Sequence, residues 1–297
     1  LYESTDRITQ KMRERGGGIS NIKLVNKSKE LKSYYQLHVD FNTVDSMGAN
    51  FINSCLETIS KKFKKLLSDS PQFKESEKKI EVIMSILSNY NPKCIVESSV
   101  ECKIDDLGDI DGITSKEFAI KFKDAFDIAD IDINRAVTHN KGIMNGVDAI
   151  LISTGNDFRA VEAGVHAFAS NKGKYRSLSK CSITDDIFKI SLEIPLSIGT
   201  VGGITDVHPM VKLSLKLLNN PTSDELMKII CSVGLAQNFA AVKSLVTTGI
   251  QKGHMKMHLI NLLIKKNASK DQIDKSEEYF KDKDINSQSV KDFLNKN

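Results

Sequence analysis

A lysine set between an asparagine and a glycine, Asn140-Lys141-Gly142, is followed sixteen positions later by Asp157 in the turn Thr154-Gly155-Asn156-Asp157. The stretch between them is apolar and broken by glycines. An ammonium and a carboxylate presented in this way suit a reacting carbonyl. The cation would stabilise negative charge that develops on the oxygen only as the reaction proceeds. The acid would hold the ammonium in place, each charge favouring the ionised form of the other. Plainer roles stand beside these. A lone lysine is by default a solvated surface charge, and Asn156 or Asp157 sits where an N-cap for the next helix belongs. The two roles of Asp157 are compatible, because a cap fixes the carboxylate rigidly.

A second reactive candidate lies in Gly249-Ile-Gln-Lys-Gly-His254-Met-Lys-Met-His258. Two imidazoles at i, i+4 invite a metal reading, but Met255 stands where the zinc signature HExxH needs its glutamate. No third ligand is offered elsewhere, so no metal site is expected. His254 reads better as a general acid, since an imidazole titrates near neutrality. The glycine segments Gly16-Gly17-Gly18 and Gly199-Thr-Val-Gly202-Gly203 match neither GxGxxG nor the Walker loop. Backbone amides freed by glycine can still contact a pyrophosphate. The Asp45-Ser-Met47-Gly48-Ala-Asn50 segment reads, taken alone, as a capped helix start. The acidic stretch 105–112 fails the calcium-loop pattern and is a surface turn.

Composition narrows the class. The 297 residues are 40% hydrophobic and 27% charged, as in a globular protein of one large or two ordinary domains. A dispersed net charge of +4 gives no reason to expect a nucleic-acid partner. The five cysteines (Cys55, Cys94, Cys102, Cys181 and Cys231) form no CxxC pair and read as reduced thiols of a cytoplasmic protein. No uninterrupted apolar run reaches the ~18 residues of a membrane span, and no signal peptide is visible.

The elements that must carry these residues are legible in part. Residues 3–15 are helical in character and stop at the three glycines. Strands are expected around 19–25 and through Tyr35, Leu37, Val39 and Phe41, joined by a hairpin loop. Phe51, Ile52, Cys55, Leu56, Ile59 and Phe63 recur at helical spacing, and 81–87 reads as another strand. This is a small α+β sandwich with an exit near Pro92. A strand over 94–104, a helix opened by Thr114-Ser115-Lys116-Glu117, a helix over 158–170 and one beginning at 221–225 follow. The last ~30 residues, rich in Lys and Asp, read as a mobile helical appendage.

The four segments DSMGAN, RAVTHNKGIMNGVDAILISTGNDFRAVEAGVH, GTVGG and GIQKGHMKMH, in that order, resemble hydroxymethylglutaryl-coenzyme A reductase of the bacterial, class II type. The resemblance covers essentially the whole chain. It implies an α+β fold of two domains: a ferredoxin-like small nicotinamide-cofactor domain, here 1–92, and a larger mixed α/β substrate domain, here 93–255. A C-terminal helical flap would occupy 256–297. It implies two-step reduction of hydroxymethylglutaryl-CoA to mevalonate and free coenzyme A. Lys141 and Asp157 would be catalytic, and His254 would protonate the departing thiolate. Arg135 and Asn145 would contact substrate. Asp45, Met47, Gly48, Asn50 and Asn89 would contact NADPH or NADH, with Gly199, Gly202 and Gly203 near the nicotinamide. A homodimer or larger homo-oligomer, with no membrane and no nucleic acid, is implied as well.

Two departures qualify that picture. The family's glutamate, which precedes the small domain, has no counterpart, and the chain opens at Leu1 inside an expected helix; a fragment lacking the N-terminal part, unable to complete both reductions, is therefore expected. Where NADH-using relatives carry an acid for the ribose hydroxyl stands Thr9, with Lys11, Arg13 and Arg15 nearby, which leans towards NADPH or dual use. The competing readings are an acyl-CoA-binding lyase or acyltransferase using His254 as base, and a non-catalytic dimerisation fragment. No cysteine or serine sits in a nucleophile setting to favour the first.

Overall fold

Apolar periodicity, caps and glycines divide the chain into short elements, which a computed structural model places in two compact units. The structure describes residues 1–281 and 283–295, with the backbone alone at 250–254 and 256. The architecture is mixed α/β with two small sheets among the described residues.

The first unit comprises Leu1–Ser98, Met144–Leu178 and Leu192–Gly234. Helix α1 (Asp6–Glu14) stops at the glycines, and only a glycine fits at 17, because a Cβ there would lie 2.5 Å from the Asn42 carbonyl oxygen. Strands β1 (Gly18–Asn26) and β2 (Tyr35–Asn42) form an antiparallel hairpin, with Ile22 opposite Val39 and a bulge between Ile19 and Asn21. Helix α2 (Ala49–Asp69) buries Cys55 and Ile59 and meets β2 through an edge-to-face contact of Phe51 with Phe41.

The strand expected over 81–87 does not form. A short run rich in apolar and β-branched residues was present, but a strand also needs a backbone partner. Here the Leu87 N–H donates to the Asn53 side chain of α2 (3.0 Å), while Ile83 and Met84 stay more than 70% exposed. Further on, helix α5 (Phe158–Ala169) buries Val161, Gly164 and Val165, and α6 (Pro209–Leu217) buries Val211 and Leu215. Helix α7 (Ser223–Val246) opens with a reciprocal cap: Thr222 N donates to Glu225 Oε2 (2.8 Å) and Glu225 N to Thr222 Oγ1 (3.3 Å). By length and composition α7 could cross a membrane, a test that core helices of soluble proteins also pass.

The second unit comprises Ser99–Ile143, Ser179–Ser191 and Leu235–Asn297. Helix α3 (Ser115–Ile131) is capped by Thr114, whose hydroxyl accepts from Glu117 N. It lays Phe118, Phe122 and Phe126 against Phe188 and Phe239, with centroids 5.0–6.4 Å apart. The three-stranded sheet runs β3 (Ile95–Lys103), β5 (Ile187–Pro195), β4 (Ser179–Thr184), with β5 central. Helix α4 (Ile133–Ser153) is continuous for 21 residues. The glycines at 142 and 146 lie inside it without breaking it, contrary to the glycine-broken reading of this stretch. Helices α8 (Ile250–Lys265), α9 (Lys270–Tyr279) and α10 (Ser287–Leu294) share an apolar cluster of Leu259, Leu263, Phe280, Val290 and Phe293.

Candidate functional site

Three loops of the first unit enclose one cavity of about 370 Å³. The first is the turn into α2. Gly48 has φ +74°, a left-handed conformation that favours glycine, and its carbonyl accepts the first helical bond from Ile52 N (2.8 Å). Ser46, Met47 and Gly48 line the cavity with Ala49, Asn50 and Phe51 of the first helical turn. Amides of that turn have no intrahelical acceptor.

The second loop is Gly155-Asn156-Asp157. The expected cap is present: Asp157 Oδ1 accepts from Ala160 N (3.1 Å), opening α5. Asn156 does something the sequence did not disclose. Its Oδ1 accepts from Gly199 N (2.8 Å) and its Nδ2 donates to the buried Thr154 hydroxyl (3.1 Å), tying this loop to the third. The third loop, 199–205, is held from the other side by the Asp45 carbonyl, which accepts from Thr200 N (2.8 Å) and Val201 N (3.1 Å). A Cβ on Gly199 would sit 2.5 Å from Met47 N, so these backbones touch only because 199 is glycine. Gly202 and Gly203 adopt φ of +83° and +59°.

Among the described residues no lysine or arginine lines this cavity. The positive end of α2 and the amides of the glycine loop supply the potential instead, which suits phosphate groups approached by backbone. The volume falls within the range of small-molecule pockets. Met47, Gly48, Asn50, Gly199, Gly202 and Gly203 are thus brought together with Asp157 around one space.

The remaining candidates lie elsewhere. Asp45 braces rather than lines: its Oδ1 accepts from Ser223 N (2.8 Å) at the start of α7. Asn89 presents its carbonyl 2.6 Å from where a Cβ on Gly164 would stand, pinning its segment to α5. Asn145 is exposed on α4. Thr9 is buried, its hydroxyl donating to the Thr5 carbonyl (3.0 Å), so it does not offer itself to a ribose. In the second unit, Lys141 is exposed in the middle of α4 and Arg135 is half-buried near the start of that helix. The side chain of His254 lies outside the described residues, within the backbone of α8.

Two polar clusters had no sequence signal beyond residue type. Asp148 on α4 hydrogen-bonds Glu162 on α5; burial, with Glu162 beside it, lifts the Asp148 carboxyl to about 7. Its Oδ1 is buried and unpartnered among the described residues. In the second unit His139 is buried beside Arg135, Ser179 and Asn238, and burial with the adjacent guanidinium lowers it to about 3. The five cysteines are free thiols, Cys55 and Cys231 buried.

Residues 2–259 match the family model described as hydroxymethylglutaryl-coenzyme A reductase. The 3-hydroxy-3-methylglutaryl-coenzyme A reductase of Archaeoglobus fulgidus is 34% identical over 88% of this chain and 56% of its own length. A probable enzyme of the same name from Borreliella burgdorferi is 37% identical over 85% of this chain and 55% of its own. The chain therefore spans about half the length of these curated relatives. Among solved structures, the reductase of Streptococcus pneumoniae superposes with a TM-score of 0.73 at 35% identity, covering 99% of this chain and 68% of that one. A class II structure from the same organism, bound to NADPH in open conformations, gives 0.71 at 35% identity over 83% and 64%.

Proposed function

The chain belongs to the hydroxymethylglutaryl-coenzyme A reductase family, and on that premise we propose that it takes part in the NADPH- or NADH-dependent reduction of hydroxymethylglutaryl-CoA to mevalonate and coenzyme A. The observation that carries this reading is the cavity where the DSMGAN turn, the Asn156-Asp157 turn and the GTVGG loop meet. Its fit to a dinucleotide rests on the forced glycine at 199 and on amides in place of basic side chains. Met47, Gly48, Asn50, Gly199, Gly202 and Gly203 would hold the cofactor there, with Asp45 fixing the loops and Asn89 placing a neighbouring segment. When bound, the nicotinamide supplies hydride.

This chain's own residues do the rest. Lys141 directs its ammonium at the thioester oxygen, where charge appears as the carbonyl is reduced to a hemithioacetal. Asp157, held by its cap, steadies that ammonium and relays a proton. The hemithioacetal collapses as the carbon–sulfur bond breaks, and His254 gives the departing thiolate its proton. The resulting aldehyde takes a second hydride and one proton to become the alcohol. Arg135 and Asn145 orient the anionic acyl-CoA. In this reading 1–92 form a ferredoxin-like cofactor domain, 93–255 the substrate domain and 256–297 a flap. The working form is a cytoplasmic homodimer or larger homo-oligomer.

The test is stoichiometric. Purified protein given hydroxymethylglutaryl-CoA and NADPH or NADH should oxidise nicotinamide as thiol is released: two equivalents per thiol if both reductions are completed, which rejects the incomplete fragment, and one per thiol if the reaction stops at the aldehyde. Thiol release with no nicotinamide oxidation would instead favour an acyltransferase, and cleavage of the acyl chain with the thioester kept intact a lyase.

A further inference from the structure

Arg135 is a half-buried guanidinium with no carboxylate partner among the described residues. The nearest acid in sequence, Asp132, spends its two oxygens on the backbone N–H groups of Asn134 (3.3 Å) and Arg135 itself (3.2 Å), capping α4. Burial without a counter-ion destabilises the charged form, and the guanidinium is lowered from its usual range accordingly. What holds it is a neutral ring: Arg135 Nη2 lies 3.5 Å from His139 Nδ1, one helical turn on. Behind that ring, His139 Nε2 is 2.7 Å from Ser179 Oγ, which donates to Asn238 Oδ1 (2.9 Å). His139, Ser179 and Asn238 are each no more than 3% exposed, and the Phe126 ring stands edge-on to the imidazole at 4.9 Å.

A guanidinium has donors and no acceptor, so it can bond Nδ1 only when that nitrogen carries no proton. The hydrogen must then sit on Nε2, pointing at the serine. The serine hydroxyl can accept it and pass its own hydrogen to the asparagine. Each group therefore fixes the next through the asparagine Oδ1; the asparagine Nδ2, 3.2 Å from Nε2, is itself a donor and makes no bond to that nitrogen in this tautomer.

We propose that His139 is a positioning residue: as its Nε2–H tautomer, locked by Ser179 and Asn238, it aims the uncompensated guanidinium of Arg135 at an anionic group of the ligand. The use of Arg135 rests on the function proposed above; the relay does not. An arginine held from behind keeps little rotamer freedom to lose on binding, which raises affinity without adding a contact.

The experiment uses calorimetric binding of hydroxymethylglutaryl-CoA to the purified chain, with nitrogen NMR of the histidine rings and arginine side chains. His139→Leu should weaken binding about tenfold, as loss of a bond to a charged group implies. His139→Asn places an amide oxygen where Nδ1 was and should restore binding to within about threefold. Ser179→Ala, which keeps the core filled, should weaken it about threefold and carries the test if the histidine variants do not fold. The NMR should show Nε2–H at His139 and a broadened Arg135 signal in His139→Leu. An Nδ1–H tautomer, or equal binding by His139→Leu and Ser179→Ala, overturns the relay. An intact relay by NMR with unchanged binding in Arg135→Ala would instead overturn the role given to Arg135.

Discussion

Replacing Gly199 by alanine tests whether the cavity depends on backbone contact. The new Cβ would stand 2.5 Å from Met47 N and 3.0 Å from both the Asp45 carbonyl oxygen and the Ser46 carbonyl carbon, where ordinary contact begins near 3.4 Å. All three obstacles are main-chain atoms, so no side chain can swing away. The loop must retreat by about 0.9 Å, the shortfall at Met47 N. Three bonds stretch together: Gly199 N to Asn156 Oδ1 (2.8 Å), and Thr200 N and Val201 N to the Asp45 carbonyl (2.8 and 3.1 Å). Overpacking of this kind costs about 1–3 kcal/mol. The melting temperature should then fall by roughly 3–8 °C. Dinucleotide affinity, read by fluorescence quenching, should drop at least about tenfold, since a shift near 1 Å misplaces the amides that approach the phosphates. Gly173→Ala is a stringent control: unlike position 199 it has positive φ (+84°) and so carries backbone strain, but nothing lies within 4 Å of its Cβ. If Gly199→Ala melts and binds like the parent, the close packing of the two loops is not what shapes the site.

Asp157→Asn keeps the oxygen that caps α5 and removes the charge. It should melt within about 1 °C of the parent yet lose at least ~100-fold in reduction rate, whereas Asp157→Ala should also lose ~1 kcal/mol of stability. The Asp148 carboxyl titrates higher in the folded protein than in the unfolded chain, so its contribution is complete below about pH 4 and is lost as pH rises through about 7. Asp148→Asn stays neutral throughout and should raise the melting temperature by ~2 °C or more at pH 8 with little change at pH 4; equal effects at both would refute the assignment. Phe293→Ala empties the centre of the α8–α10 cluster and should cost about 3 kcal/mol there. Hydrogen exchange should show α9 and α10 losing protection while α2 and α5 keep theirs.

Signals written in local chemistry survived the passage from sequence to structure. Thr114 and Asp157 cap as their types and positions imply, because a cap needs only its own next turn. The periodicity of α2 likewise needed only one apolar face. The 81–87 strand failed because an apolar, β-branched run describes only its own side chains, while a ladder depends on a second chain segment. Lys141 was expected beside a break and lies mid-helix, since the cost of an interior glycine is small against a helix of 21 residues. Asn156 and His139 were invisible for a different reason: their partners, Gly199 and Ser179, are about forty residues away. Long-range polar pairs leave no mark in composition or spacing.

The ribbon through Val82, Ile83, Met84 and Ile86 has one more effect, on how the protein behaves in a tube. Four greasy side chains face water on a backbone that joins no ladder among the described residues. Bare main-chain groups of that kind template pairing between molecules, and the run holds no proline to interrupt stacking. Colloidal behaviour at high concentration is then governed by a handful of residues rather than by the modest overall charge, and clumping begins there.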